Sequence, residues 1–135
     1  MAGYSGKPLA DKLDIKAGCK LYVRNAPTDY DALLAPLPQN VTALKRLVKE
    51  LDVAQVFVTR LSELVAALNT LPAYIKPAGM IWVCWPKKAS GVVTDVTEDR
   101  IRDIALPLGL VDVKVCAIDE TWSGLKLVIR KENRK

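Results

Sequence analysis

The side chains best equipped to bind or transform a ligand fall in two short stretches, Trp85-Pro-Lys-Lys-Ala-Ser-Gly91 and Asp119-Glu-Thr-Trp-Ser-Gly124. In the first, Lys87 and Lys88 offer two ammonium groups, Ser90 a hydroxyl and Gly91 an adaptable backbone. That set suits a phosphate or a carboxylate. The same lysines also read as ordinary solvated surface charges. The stretch is not a Walker loop, whose Gly-x-x-x-x-Gly-Lys-Ser/Thr spacing is absent. In the second stretch, Asp119 and Glu120 read as a base or cation site, or as a solvated turn paired with Lys87 and Lys88. Trp122, in a polar turn, either marks a contact surface or folds back over the core beside Trp85.

What the chain lacks narrows the chemistry further. It contains no histidine, which removes the commonest general base, the usual serine triad and most zinc sites. Cys19, Cys84 and Cys116 are odd in number and without Cys-x-x-Cys spacing. They read as reduced thiols in strands, not as bridges or metal ligands. No catalytic residue, metal or cofactor is assigned. The net charge is +5, and Lys126, Arg130, Lys131, Arg134 and Lys135 against Glu132 concentrate +4 of it in the last ten residues. Residues 131–135 are expected to be a flexible basic tail. A near-neutral body with few interleaved aromatics argues against nucleic acid as a partner.

The elements that must position these groups follow from periodicity. At 135 residues, half of them hydrophobic, the chain suits a single α/β domain over 1–135. No apolar run approaches the ~20 residues of a membrane span, and the first residues lack the apolar stretch of a secretory signal. Both points predict a cytoplasmic location. Residues 5–13 suit a short helix with Ser5 near its cap and Pro8 in its first turn. Residues 19–24 read as a strand. Thr28 and Asp31 suggest a helix start, cut short by Pro36 and Pro38.

Val41, Leu44, Leu47, Val48 and Leu51 keep helical spacing, yet Val41-Thr-Ala-Leu also suits a short strand. Val56-Phe-Val58 reads as a buried strand, and Leu61, Leu64, Val65 and Leu68 as one helical face ending by Pro72. Pro77-Ala-Gly79 is expected to turn the chain into Met80–Trp85, a strand covered on both faces. Thr94 and Asp95 are expected to prepare the helix that Thr97, Glu98 and Asp99 begin. Ile101, Ile104, Ala105 and Leu108 form its apolar face, with Pro107 disturbing the last turn and Gly109 closing it. Residues 111–117 alternate as a half-exposed strand near an edge, and 125–129 alternate likewise across the Asp119–Gly124 turn, giving an antiparallel hairpin. The expected architecture is a three-layer Rossmann-like α/β sheet, mostly parallel, with a C-terminal antiparallel hairpin.

Several segments carry a resemblance. Asp11-Lys-Leu-Asp-Ile-Lys-Ala-Gly18 before the first strand, Pro77-Ala-Gly-Met-Ile-Trp, and Gly109-Leu-Val-Asp-Val-Lys-Val before a last antiparallel strand resemble class I S-adenosylmethionine-dependent methyltransferases. The resemblance is one of layout, implies that fold, and favours a strand near 41–46. It breaks at the cofactor loop. A Gly-x-Gly-x-Gly loop belongs after the first strand, and this chain has Arg24-Asn-Ala-Pro-Thr-Asp29. Side chains there obstruct close approach, and Pro27 lacks an N–H donor. The family also places an acid near the end of the second strand, where Lys45 and Arg46 stand here. A first strand in the middle of such a sheet should be apolar on both faces, yet Lys20, Tyr22 and Arg24 share one side.

A full-length resemblance links the chain to a family of small bacterial proteins catalogued as a domain of unknown function. Its signatures are Tyr4-Ser-Gly-Lys-Pro-Leu-Ala, Trp85-Pro-Lys-Lys-Ala-Ser-Gly91 and Asp119-Glu-Thr-Trp-Ser-Gly-Leu-Lys126. That family brings no established activity.

Ligands of open parallel sheets bind at the carboxyl ends of the strands. Three segments reach that edge: Asn25–Asp29, Trp85–Thr94 and Asp119–Gly124. The expected ligand-binding set is therefore Asn25, Trp85, Lys87, Lys88, Ser90, Gly91, Asp119, Glu120 and Trp122. The expected function is a non-catalytic module for an anionic small molecule or a protein partner. The alternative is a divergent S-adenosylmethionine-dependent methyltransferase. Nothing in the sequence fixes the oligomeric state.

Overall fold

The run Met80–Trp85 is apolar without alternation because both of its faces are covered. In the computed structural model, which describes residues 8–134, this run is the inner part of strand β4 (Ile75–Pro86). Ile81, Val83 and Trp85 pack into one core layer, Trp82 and Cys84 into the other. Parallel sheets flanked by helices produce this pattern.

Around β4 lie β1 (Lys20–Arg24), β2 (Thr42–Leu44), β3 (Leu51–Phe57), β5 (Leu110–Ala117) and β6 (Trp122–Ile129), in the order β2-β1-β3-β4-β6-β5. The first four in that order run parallel, while β6 is antiparallel to both β4 and β5. Helices α3 (Leu61–Thr70) and α4 (Glu98–Ala105) cover one face through Leu64, Ala67, Leu68, Ile101 and Ala105. The short helices α1 (Leu9–Lys12) and α2 (Tyr30–Leu34) cover the other through Ala10, Tyr30 and Leu34. This is the expected three-layer sheet with its terminal hairpin. Among the described residues no helix is long and apolar enough to cross a membrane.

The ambiguous 41–51 segment resolves as a strand. Thr42–Leu44 pairs with Lys20–Tyr22, and residues 45–50 return irregularly to β3 with Glu50 at φ 65. Edge pairing outweighs helical spacing in a stretch this short. That irregular return explains the polar row on β1. With the end of β2 it packs Leu44, Leu47 and Val48 against the same core layer as Tyr22. Tyr22 is buried, and its hydroxyl accepts a hydrogen bond from Arg24 Nε at 2.6 Å. The Lys20 ammonium donates to the Lys49 carbonyl at 3.2 Å.

Other expectations shift in detail. Ser5 lies outside the described residues, and α1 starts at Leu9 after Pro8. Val65 faces out, and Ala67 takes its place on the buried side of α3. Residues 76–79 loop out of β4 between the Leu51–Ile75 and Val53–Met80 pairs instead of preceding the strand. Gly79 is required there, since a Cβ would meet the Leu51 and Lys76 carbonyl oxygens at 3.0 Å. Thr94 and Asp95 reach back to the start of α3, although the Thr94 hydroxyl also accepts the Val96 N–H at 3.0 Å on the way into α4. The Thr94 hydroxyl donates to the Thr59 carbonyl at 2.6 Å, and Asp95 Oδ1 accepts the Leu61 N–H at 2.7 Å. Thr97 caps α4 as expected, accepting the Arg100 N–H. On the edge strand β5, an extra residue at Val113 breaks the register with β6. Val113 and Val115 are 51% and 48% exposed, while Asp112 accepts from Arg102 and the Lys114 ammonium pairs with Asp14, on opposite faces. Residues 130–134 fold back as a short turn, with the Arg130 N–H on the Gly109 carbonyl and Arg134 Nε on the Ile129 carbonyl.

Candidate functional site

The carboxyl edge of the parallel strands carries two structurally different regions. The first joins the loop after β4 to the β5–β6 turn. Asp119 Oδ1 accepts the N–H groups of Thr121 and Trp122, both at 2.8 Å. That carboxylate closes the turn upon itself, a local use of Asp that competes with any ligand role. Lys87 ties the two loops together. Its N–H donates to the Thr121 carbonyl and its ammonium to the Asp119 carbonyl, each at 2.7 Å. The Ser90 hydroxyl donates to the Lys87 carbonyl, and Gly91 closes the short helical turn 88–90 at φ 78. Lys88 and Glu120 remain exposed. No ion pair joins Lys87 or Lys88 to Asp119 or Glu120 among the described residues.

The two tryptophans do not converge. Trp85 is buried in the layer under α3 and α4, whereas Trp122 packs on the opposite face. Trp122 folds back over the core as one reading had it, but beside Phe57, edge-on with ring centroids 5.1 Å apart. Phe57 in turn meets Tyr30 at 5.0 Å. This aromatic row runs beneath the edge from the hairpin to the second region.

The second region is an open groove of about 740 Å3 at the carboxyl ends of β1 and β2. It takes in Arg24, Asn25, Thr28, Asp29, Asp31 and Lys45, and excludes Trp85, Lys87, Lys88 and Trp122. Of the nine residues expected from sequence, Asn25 alone lines it. The loop bends without glycine. Asn25 stands at φ 59 and Asp29 at φ 68, the left-handed region that Asn and Asp tolerate best among side-chain-bearing residues. Asn and Asp bracketing Ala-Pro-Thr was the available signal for that bend.

Tyr30 anchors the groove from below. Its hydroxyl donates to Gln55 Oε1 at 2.8 Å, and Gln55 Nε2 donates to Cys84 Sγ at 3.4 Å. Gln55 is fully buried and satisfied at both ends of its amide. Burial raises the Tyr30 phenol well above its ordinary value and pushes the Cys84 thiol up to about 12. Neither group is a base or nucleophile near neutrality. Among the described residues no cluster of three Cys, Asp or Glu side chains could hold a metal.

No family model matches the chain, and no curated protein sequence matches it. The expected likeness to a small bacterial family thus finds no support in either comparison. Solved structures do match. An S-adenosylmethionine-dependent methyltransferase of Aquifex aeolicus superimposes with a TM-score of 0.63 at 13% identity, covering 90% of this chain and 88% of that one. A protein of Sulfolobus solfataricus assigned to the type 11 methyltransferases gives 0.63 at 11% identity, covering 94% and 92%. Fibrillarin of Aeropyrum pernix, solved with natively bound S-adenosylmethionine, gives 0.57 at 13% identity, covering 84% and 68%. The chain has the Rossmann-like methyltransferase fold.

The fold implies S-adenosylmethionine as a cofactor. Its amino-acid end is a zwitterion, and the groove presents cations (Arg24, Lys45) and carboxylates (Asp29, Asp31) around one opening. Its ribose is ordinarily held by an acid after the second strand, where Lys45 stands. The charge pattern therefore fits the ligand, while the family's ribose contact is not reproduced.

Proposed function

We propose that this chain is a divergent S-adenosylmethionine-dependent methyltransferase that takes its ligand in the groove formed by residues 23–32 and Lys45. One observation carries the reading: an open groove, lined by both charge signs, lies at the carboxyl ends of β1 and β2 on a sheet of the methyltransferase fold. When bound, the ligand would supply an electrophilic methyl group on its sulfonium. Arg24 and Lys45 would hold its carboxylate, and Asp29 or Asp31 its ammonium or ribose hydroxyls. The left-handed Asn25 and Asp29 give the loop its bend, and Tyr30 fixes the floor. Calorimetry with S-adenosylmethionine and its demethylated product tests this directly. Saturable heat is expected, weakened at least tenfold by Asp29→Ala with Asp31→Ala. No heat at millimolar ligand overturns the reading.

A second reading, a non-catalytic module for an anionic ligand or protein partner, is supported by the loop after β4. Lys88 and the 93%-exposed Val93 project from a segment pinned by Ser90, Thr94 and Asp95. A native protein that ignores S-adenosylmethionine, yet shows a metabolite-dependent thermal shift lost in Lys88→Ala, would favour it.

A further inference from the structure

A second cavity, of about 530 Å3, opens at the opposite, amino-terminal edge of the sheet. Its walls are the α1–β1 loop and the looped-out segment 76–79, and its floor includes Met80 and Lys126. Charges inside it do not balance. The ammonium groups of Lys114 and Lys126 share one oxygen, Asp14 Oδ2, at 3.0 and 2.9 Å. The Lys126 side chain is only 16% exposed. Across the cavity, Asp52 is engaged at both oxygens: Oδ1 takes Lys76 at 3.0 Å and Oδ2 the Lys20 N–H at 2.8 Å. Lys16 lines the cavity and pairs with no carboxylate among the described residues. Three ammonium groups, those of Lys16, Lys76 and Lys126, thus line the cavity with two carboxylates, and Lys114 bonds Asp14 from outside the lining.

Of these groups Lys126 alone is largely withdrawn from water, and an anion beside it would offset the positive charge gathered around the opening. The acids also hold Lys126 and Lys76 extended at the cavity, which pre-organises them. Asp14 keeps this position at φ 60, a backbone conformation uncommon for side-chain-bearing residues. We propose that this cavity is a ligand site for a small doubly charged oxyanion, a phosphate monoester or a dicarboxylate. Lys126, Lys16 and Lys76 would be its donors, and Met80 and Ala78 the wall for a short apolar body. The site is independent of the groove at the other edge.

The test uses the full chain titrated with inorganic phosphate and, separately, with malonate, at constant ionic strength held with sodium chloride. Saturable amide shifts at Asp14–Cys19, Met80 and Lys126 are expected with at least one probe. Phosphate alone points to a phosphate monoester, malonate alone to a dicarboxylate, and both to oxyanions in general. Lys126→Met should weaken binding at least tenfold and stay folded, because Lys114 still neutralises Asp14. Lys16→Ala, on an exposed side chain, should weaken it about threefold. Asp14→Asn should bind tighter than the native chain, since it frees two ammonium groups. A purely structural ion cluster would not show that gain. Shifts no larger than those with chloride overturn the proposal. So does native-like binding by Lys16→Ala together with no gain in Asp14→Asn, whether or not Lys126→Met folds.

Discussion

The two regions of the carboxyl edge use similar residue types to opposite ends. In the loop after β4 and the hairpin turn, the carboxylate of Asp119, the ammonium of Lys87 and the hydroxyl of Ser90 all bond within the chain. In the loop after β1, Asn25, Thr28, Asp29 and Asp31 stand exposed around an open groove. A dense run of polar groups is therefore a poor guide to a binding site when its members can satisfy one another. A sparse loop held in a strained bend, with its polar ends left over, is the better guide.

The largest expected effect tests whether the regions are mechanically joined. Phe57 touches Tyr30 on one side and Trp122 on the other, so Phe57→Ala should cost about 3–5 kcal/mol in urea unfolding. It should also weaken whatever ligand the groove holds. A loss of stability with unchanged groove affinity would show that the row is only core. Next comes the contrast between neighbouring lysines. Lys87→Ala removes a charge-assisted bond between two loops and should cost about 1.5–3 kcal/mol. Lys88→Ala should stay within about 0.5 kcal/mol. Equal effects would erase the distinction between a consumed group and a free one.

The smallest expected effect belongs to the amino edge. Burial pushes Asp14 up, but its bonds with Lys126 and Lys114 outweigh it and hold the carboxyl below its ordinary value. Asp52 is likewise lowered, burial being outweighed by the Lys20 N–H and Lys76. A depressed native value adds stability that is present in full above the unfolded value, about pH 4, and is lost as pH falls through the native one. Acid titration of native and Asp14→Asn proteins should therefore diverge above pH 4 and converge as pH falls well below it.

Much of the architecture was legible from periodicity, because period and burial coincide in β4, α3 and the hairpin. The 41–51 segment was ambiguous from its own spacing, which fits a helix as well as a strand; the layout resemblance favoured the strand, and pairing with β1 bears it out. The site was read less well. Trp85 and Trp122 are near in the ladder, where Pro86 pairs with Trp122. Alternation nevertheless sends their rings to opposite faces, and a parity count across the hairpin would have shown it. Tyr30 and Gln55 were missed because a buried polar pair leaves no local pattern; its partners lie 25 residues apart.

The extra residue at Val113 has a consequence for how copies of this chain meet. An edge strand offers unpaired N–H and C=O groups to any extended segment that approaches, and two exposed valines would make such a meeting adhesive. The irregularity bends the ladder just there, so a visiting strand cannot keep step along it. Crowded conditions, where chance encounters between sheets are frequent, are where that single inserted valine matters most.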